Sequence, residues 1–148
     1  MLEKNIEKEF LKYKKNYIKK YGRIALDNFQ INKECEKLFG KKYNGCWLQD
    51  ESFPIKNGFY ILNTDIRNNV GKHWVGVYLT DLSCSLYDSF GRNIHKLLSV
   101  FLKRITKRKI FFDKKDREQK DHEIICGHLS LSWVRCVHRF GIKKAIKI

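Results

Sequence analysis

The stretch "HWVGVYLTDLSCSLYD", residues 73–88, constrains the fold more than any other part of the chain. Two apolar runs rich in strand formers, 73–79 and 84–88, are joined by the four residues "TDLS". Parallel strands need a much longer crossover, so the two runs form an antiparallel hairpin. With the turn centred between Thr80 and Asp81, Val77 faces Cys84, Val75 faces Leu86 and His73 faces Asp88. Directly opposed residues share a side, so these six lie on one face, while Trp74, Tyr78 and Tyr87 lie on the other. Opposed positions are about 5 Å apart, within reach of an imidazole–carboxylate hydrogen bond. A carboxylate there fixes the histidine tautomer and stabilises its cation. The alternative reading of the hairpin leaves His73 and Asp88 as unrelated, solvated residues at strand ends.

The rest of the chain supplies the layers that such a hairpin needs. Ile6, Phe10, Tyr13 and Tyr17 recur at helical spacing over 3–21, with lysines on the other faces and Gly22 as a stop. A second helical patch runs from Asn28 to Phe39. "NGFYILNTD" (57–65) reads as a strand, and "KIFF" (109–112) as another. Ile94, Leu98, Phe101 and Ile105 fall on one face of a helix, and a last helix is predicted from Cys126 to Phe140. Its buried side carries Leu129, Trp133, Val137 and Phe140. Helices at both ends of a small sheet, without βα alternation, give an α+β fold with a mixed sheet flanked by helices. The 148 residues suit a single domain, with residues 1–22 as a basic amphipathic N-terminal helix and 43–140 as the core.

"REQKDHEIICGHLSLSW" (117–133) poses the chemical question, because Cys126 opens the last helix. A thiol at a helix N-terminus feels the positive end of the dipole and the unpaired first N–H groups, and both favour thiolate. Gly127 leaves the approach to the sulfur clear of a side chain. The Cys126 backbone N–H and the Gln119 side-chain amide, seven residues upstream, are candidate oxyanion donors. Zinc binding through Cys126, His128, Cys136 and His138 is disfavoured: residues two apart on a helix point about 200° apart and cannot converge on one ion. Cys84 and Cys136 read as small core residues. His95, His128 and His138 read as surface or packing residues, and Cys35 and Cys46 belong to no recognisable motif.

Composition limits the partners. With 31 Lys+Arg against 16 Asp+Glu the formal charge is +15, which favours a polyanion, nucleic acid before an anionic membrane surface. Apolar residues at 43% exclude a disordered polycation. The N-terminus lacks an apolar signal core, and no stretch reaches the ~18 apolar residues of a membrane span. Five cysteines without a framework fit a reducing, intracellular setting.

Taken in order, His73-Trp74, Asp88 within "YDSFG", Gln119 and Cys126-Gly127 resemble the adenovirus-type maturation proteases (adenain-like) and their relatives in other double-stranded DNA viruses and virus-like mobile elements. "YNGCWLQDESFP" (43–54) resembles the segment that precedes the first core strand in those proteins. The resemblance covers roughly residues 43–135. It implies the cysteine protease fold shared with SUMO-type deconjugating enzymes, with His73 as general base, Asp88 as its orienter, and Gln119 with the Cys126 amide as oxyanion hole. It further implies a monomeric thiol endopeptidase that cleaves virion precursor proteins, often after glycine, in the nucleus or viral factory of an infected cell and in the virion. No cofactor is needed for the chemistry, but DNA acts in this family as an activator or track. Adenain is also helped by a viral peptide that can join a cysteine upstream of the Gln–Cys motif. No cysteine lies between Cys84 and Cys126, so the position for such a covalent link is missing. Two other readings are a deconjugase for ubiquitin-like modifiers and an inactive basic DNA-packaging protein of the virion core.

Overall fold

A computed structural model describes residues 2–64, 73–112 and 124–148, with side chains from Asn5 onward. Five strands, β1 (Tyr43–Leu48), β2 (Gly58–Asn63), β3 (Trp74–Leu79), β4 (Ser83–Tyr87) and β5 (Lys109–Phe112), form one sheet in chain order. The three central strands are an antiparallel meander, and β1 and β5 join its edges in parallel. The fold is therefore α+β with a mixed sheet and helices on both faces.

Period-two alternation divides the core. Phe59, Ile61, Trp74, Tyr78 and Tyr87 point to one face, and Tyr60, Leu62, Val75, Val77, Cys84 and Leu86 to the other. The first face is covered by α1 (Leu2–Tyr21), α2 (Asn28–Phe39), α5 (Cys126–Phe140) and α6 (Ile142–Ala145); the second by α3 (Ile94–Leu97) and α4 (Ser99–Lys103). Helix α5 lies between the sheet and α1. Cys126 to Val134, Cys136 and Val137 are all buried, so this helix is enclosed on most sides and not amphipathic in the usual sense. Trp133 stacks on Tyr87 with centroids 5.7 Å apart.

Three sequence expectations are corrected. First, the hairpin register is two residues from the expected one: Leu79 pairs with Cys84 and Val77 with Leu86. The turn is centred one residue later, between Asp81 and Leu82, and is closed by Thr80 N–H donating to the Ser83 carbonyl at 2.9 Å and by the Thr80 and Ser83 hydroxyls, 2.6 Å apart. An even shift keeps every side chain on its expected face, whereas an odd one would have reversed them. Second, residues 43–48 are not a lead-in but edge strand β1, with an irregular register between Tyr43 and Cys46. Third, the helix expected over 94–105 is two helices broken at Leu98. The buried Gln49 side chain bridges the break, donating from Nε2 to the Leu97 carbonyl at 2.7 Å and accepting from Phe101 N–H at 3.5 Å. Ile94, Leu98, Phe101 and Ile105 are nonetheless all buried.

The seat of α5 on β3 depends on Gly76. A Cβ there would come within 2.7 Å of Trp133 Cε3 and 3.4 Å of Val134 Cγ1. Gly76→Ala should therefore destabilise the fold by about 1–3 kcal/mol through overpacking, read as a lower midpoint in denaturant unfolding. An unchanged midpoint would mean that α5 is not held this closely.

Candidate functional site

His73 immediately precedes β3, Asp88 immediately follows β4, and Cys126 is the first residue of α5. The register shift makes His73 and Asp88 diagonal neighbours and not directly opposed ones. They still meet: His73 Nε2 lies 2.5 Å from Asp88 Oδ1. The place opposite His73 is filled by Phe90, whose ring lies against the imidazole at 5.1 Å between centroids.

Asp88 is held from four directions. Oδ1 accepts from His73 Nε2 and from the Phe90 N–H at 3.2 Å; Oδ2 accepts from the Arg92 N–H at 3.0 Å and from Arg92 Nε at 3.4 Å. Burial alone would raise its pKa, but the hydrogen bond and charge of His73, followed by Arg92, outweigh it and hold the carboxyl at about 2. Arg92 also lies over Phe90, 4.8 Å from its centroid. One guanidinium therefore braces both the carboxylate and the aromatic ring that lie against the histidine.

An ionised carboxylate only accepts, so Nε2 of His73 carries the proton of that contact. In the neutral ring the lone pair then belongs to Nδ1. This nitrogen is buried without a close hydrogen-bond partner among the described residues, and the Cys126 thiol interacts with the same ring. Burial works against the imidazolium, but Asp88 and then Cys126 outweigh it, so the His73 pKa is raised. His73 is 7% exposed, Asp88 9% and Cys126 4%, so water screens these contacts weakly.

Several contacts place the thiol. Ser130 Oγ donates to the Trp74 carbonyl at 3.1 Å, tying α5 to the start of β3. The Trp74 N–H donates to Cys126 Sγ at 3.4 Å. The N–H groups of the first turn of α5 have no acceptor within the helix and face the same end. A sulfur in this position can hold negative charge, and a neutral imidazole beside it can take its proton. Gly127 has a packing reason as well as the expected one: a Cβ there would meet Leu26 at 3.1 Å. Trp74 Nε1 in turn donates to the Leu26 carbonyl at 2.9 Å.

A cleft of about 420 Å³ opens beside this centre, with Leu26, Cys46, Trp47, Asn63 and Trp74 in its wall. It shares Asn28, Cys46, Trp47 and Glu51 with a larger hollow of about 890 Å³ between α2 and the β1 edge.

Of the four residues singled out in the sequence, His73, Asp88 and Cys126 come together, and Gln119 lies outside the described residues. The other helix residues turn elsewhere: His128 Nε2 is 2.8 Å from the Gly22 carbonyl, His138 packs on Phe39 and Phe59, and Cys136 is in the core. Among the described residues no group of three or more possible metal ligands converges, and no helix is long and apolar enough to cross a membrane. Sequence reasoning missed the Trp74 N–H, Phe90 and Arg92. For Arg92 a signal existed, a cation four residues after the aspartate in "DSFGR". The sequence matches no protein-family model, and no curated protein is similar to it.

Asp88→Asn removes the charge that raises His73. The His73 ring titration, followed by NMR, should therefore move to lower pH than in the wild type. The carboxyl itself gives the opposite sign: its pKa of about 2 lies below the ordinary ~3.9. Its stabilisation is present above roughly pH 4 and lost as the pH falls toward 2. Asp88→Asn should abolish that part of the acid limb, measured by denaturant unfolding from pH 7 to pH 2. An unmoved His73 titration would contradict the pairing.

Proposed function

We propose that this chain is a thiol endopeptidase that uses Cys126 as nucleophile, His73 as general base and acid, and Asp88 as the group that orients and charges the histidine. The observation that carries this reading is the tautomer imposed on His73. With Nε2 committed to Asp88, the buried lone pair of Nδ1 is left for the thiol at the start of α5. Ordinary core histidines and cysteines do not require that alignment, whereas proton transfer from sulfur does.

The chemistry proceeds in two halves. His73 Nδ1 takes the Cys126 proton, and the thiolate attacks the scissile carbonyl carbon. The resulting oxyanion is met by the Cys126 N–H and the Gln119 amide. The C–N bond then breaks as His73 gives its proton to the departing amine, leaving a thioester. Water enters, His73 takes its proton, and collapse of the second tetrahedral intermediate releases the carboxylic acid and restores the thiol. The cleft beside Trp74 is read as the place for the substrate chain. Trp47, Trp74 and Leu26 form part of its wall, and the resemblance implies small residues next to the scissile bond. The resemblance to adenain-like enzymes, together with the charge of +15, supports precursor proteins of a DNA-containing virion as substrates and an intracellular site of action.

The test is cleavage of candidate capsid precursor proteins by purified wild type and variants. Cys126→Ala and Cys126→Ser should abolish cleavage with the fold intact, and His73→Ala should be nearly as damaging. Asp88→Asn should keep more activity, and Gln119→Ala should lower kcat by roughly ten- to a thousand-fold. Changes at Cys35 or Cys136 should affect stability only. Full activity in Cys126→Ala would sink the assignment, and a Gln119→Ala effect confined to KM would remove the oxyanion role from that residue.

A further inference from the structure

Gln49 directly follows β1, is 4% exposed and carries no charge, yet its side chain joins three elements. Nε2 donates to the Thr64 carbonyl, just past β2, and to the Leu97 carbonyl at the end of α3, 2.7 Å away. Oε1 accepts from the Phe101 N–H of α4 at 3.5 Å. Both amide hydrogens and one lone pair are thus committed. The backbone N–H of Gln49 donates to the Asn63 carbonyl at 3.1 Å and carries the β1–β2 pairing to the same point. The loop that follows is held to the end of α4. Arg104 donates to the Glu51 carbonyl at 3.1 Å and to the Phe53 carbonyl, and its guanidinium lies over the Phe53 ring at 4.4 Å.

Both anchors of this amide lead to the candidate site. The Thr64 N–H donates to the His73 carbonyl at 3.0 Å, one step beyond the last β2–β3 pair, Asn63 with Trp74. At the other anchor, α3 follows Asp88 and Arg92 along the chain. It is capped by the Asn93 side chain, which accepts from the His95 N–H at 3.1 Å, and seated by the buried Ile94. Gln49 therefore spans from the backbone partner of His73 to the helix pair that continues the Asp88 loop. The His73–Asp88 hydrogen bond closes the same circuit from the opposite end. Hydrogen bonds are short and directional, so a change of length at one side of the circuit is felt at the other. Gln49 lines neither the cleft beside Trp74 nor the larger hollow, and so does not reach a substrate bound there.

We propose that Gln49 is a positioning residue of the thiol chemistry: it sets the separation of His73 from Asp88 and, with it, the tautomer presented to Cys126. The inference rests on the roles proposed above for those three residues. A buried amide is unfavourable unless its polar atoms are matched, and an apolar side chain of similar volume fills the same space. What the apolar side chain lacks is the link between the two anchors. The titratable groups acting on His73 are Asp88 and Cys126, and Gln49 is uncharged. Loss of the Gln49 amide therefore reaches the histidine only by moving it.

The experiment compares full-length wild type, Gln49→Met, Ile105→Ala, Asp88→Asn and the double variant Gln49→Met/Asp88→Asn. Its readouts are the NMR titration of the His73 ring, and kcat and KM for cleavage of a capsid precursor protein. Methionine keeps the volume and loses both donors. Gln49→Met should move the His73 titration to lower pH, as Asp88→Asn does. It should also lower kcat roughly ten- to a hundred-fold with KM unchanged, the range that a misplacement of about 1 Å produces. Ile105 is buried in the same core layer at 1% exposure but takes no part in the circuit. Ile105→Ala should lower the midpoint of denaturant unfolding and leave both readouts as in the wild type. In the Asp88→Asn chain, which has lost the charge being positioned, Gln49→Met should add little to the titration shift. Circular dichroism checks folding; Gln49→Asn, too short by one methylene to span both anchors, gives a smaller shift in the same direction if Gln49→Met does not fold. An unmoved titration in the folded Gln49 variants, an equal shift in Ile105→Ala, full additivity with Asp88→Asn, or a loss confined to KM would overturn the proposal. The titration reads the His73–Asp88 geometry whether or not peptides are cleaved. A wild type without peptidase activity therefore sinks the thiol-endopeptidase reading, whereas an unmoved titration sinks the positioning role alone.

Discussion

The contact between α5 and β3 is what the rest of this structure depends on. A helix can place its first residue beside the ends of two strands only if its axis lies close to the sheet. Here the closeness comes from Gly76, which gives up its side chain to the indole of Trp133. Ser130 then fixes the helix along its axis by bonding the Trp74 carbonyl, and the Trp74 N–H turns toward the Cys126 sulfur. One peptide neighbourhood thus serves both as an anchor for the helix and as a donor to the thiol. The N-terminal helix contributes from the far side: Arg135 lies over Tyr13 at 4.1 Å and Arg139 bonds Glu9 and Tyr13, so α1 clamps the outer face of α5.

Within that frame, charge is arranged as a relay of unequal exposure. Arg92 sits at the surface with its side chain 44% exposed, and Asp88, His73 and Cys126 are all buried behind it. An exposed arginine–carboxylate pair contributes little by itself. Its value here is geometric, because two donors from Arg92 and one from Phe90 use up the carboxylate lone pairs that do not face the histidine. The carboxylate is left one free direction, toward Nε2. Rotational freedom is removed from Asp88 before His73 is reached, which is the kind of support that keeps a buried ion pair in one arrangement.

How much of this was legible in the sequence follows from the physics of each signal. Alternation in 73–88 is a face-level signal, so it placed Val75, Val77, Cys84 and Leu86 on the side of His73 and Asp88 and Trp74, Tyr78 and Tyr87 on the other. It does not fix register, and the two-residue shift left the histidine and aspartate in contact only because the shift was even. The bounds of α2 and α5 were readable from apolar period alone; the capping box of Asp27 with Gln30 at the start of α2 is a finding of the structure. Strand β1 was not readable, because all six of its residues are half-buried and "YNG" carries turn residues. The break at Leu98 was invisible for a different reason. It depends on Gln49, a residue 48 positions from the carbonyl it satisfies.

The same reasoning separates the surroundings of Cys126 from those of Cys35, Cys46 and Cys84. Burial pushes the thiols of Cys35 and Cys46 up, and that of Cys84 to about 12, since a thiolate loses its hydration in an apolar setting and gains little in return. Cys35 and Cys84 are fully enclosed by core side chains, and Cys46, though it reaches the cleft, has Glu51 and Asp27 as neighbouring charges, which oppose a second negative group. These thiols are kept in their neutral, unreactive form by the same burial that stabilises the core. Cys126 is as buried by area as a core residue, at 4% exposure, but its surroundings are of another kind. Its neighbours are a backbone donor, the open end of a helix and an imidazole whose proton position is dictated from behind. Area alone does not separate these cysteines; the orientation of dipoles around each sulfur does, and that orientation is a property of where α5 begins.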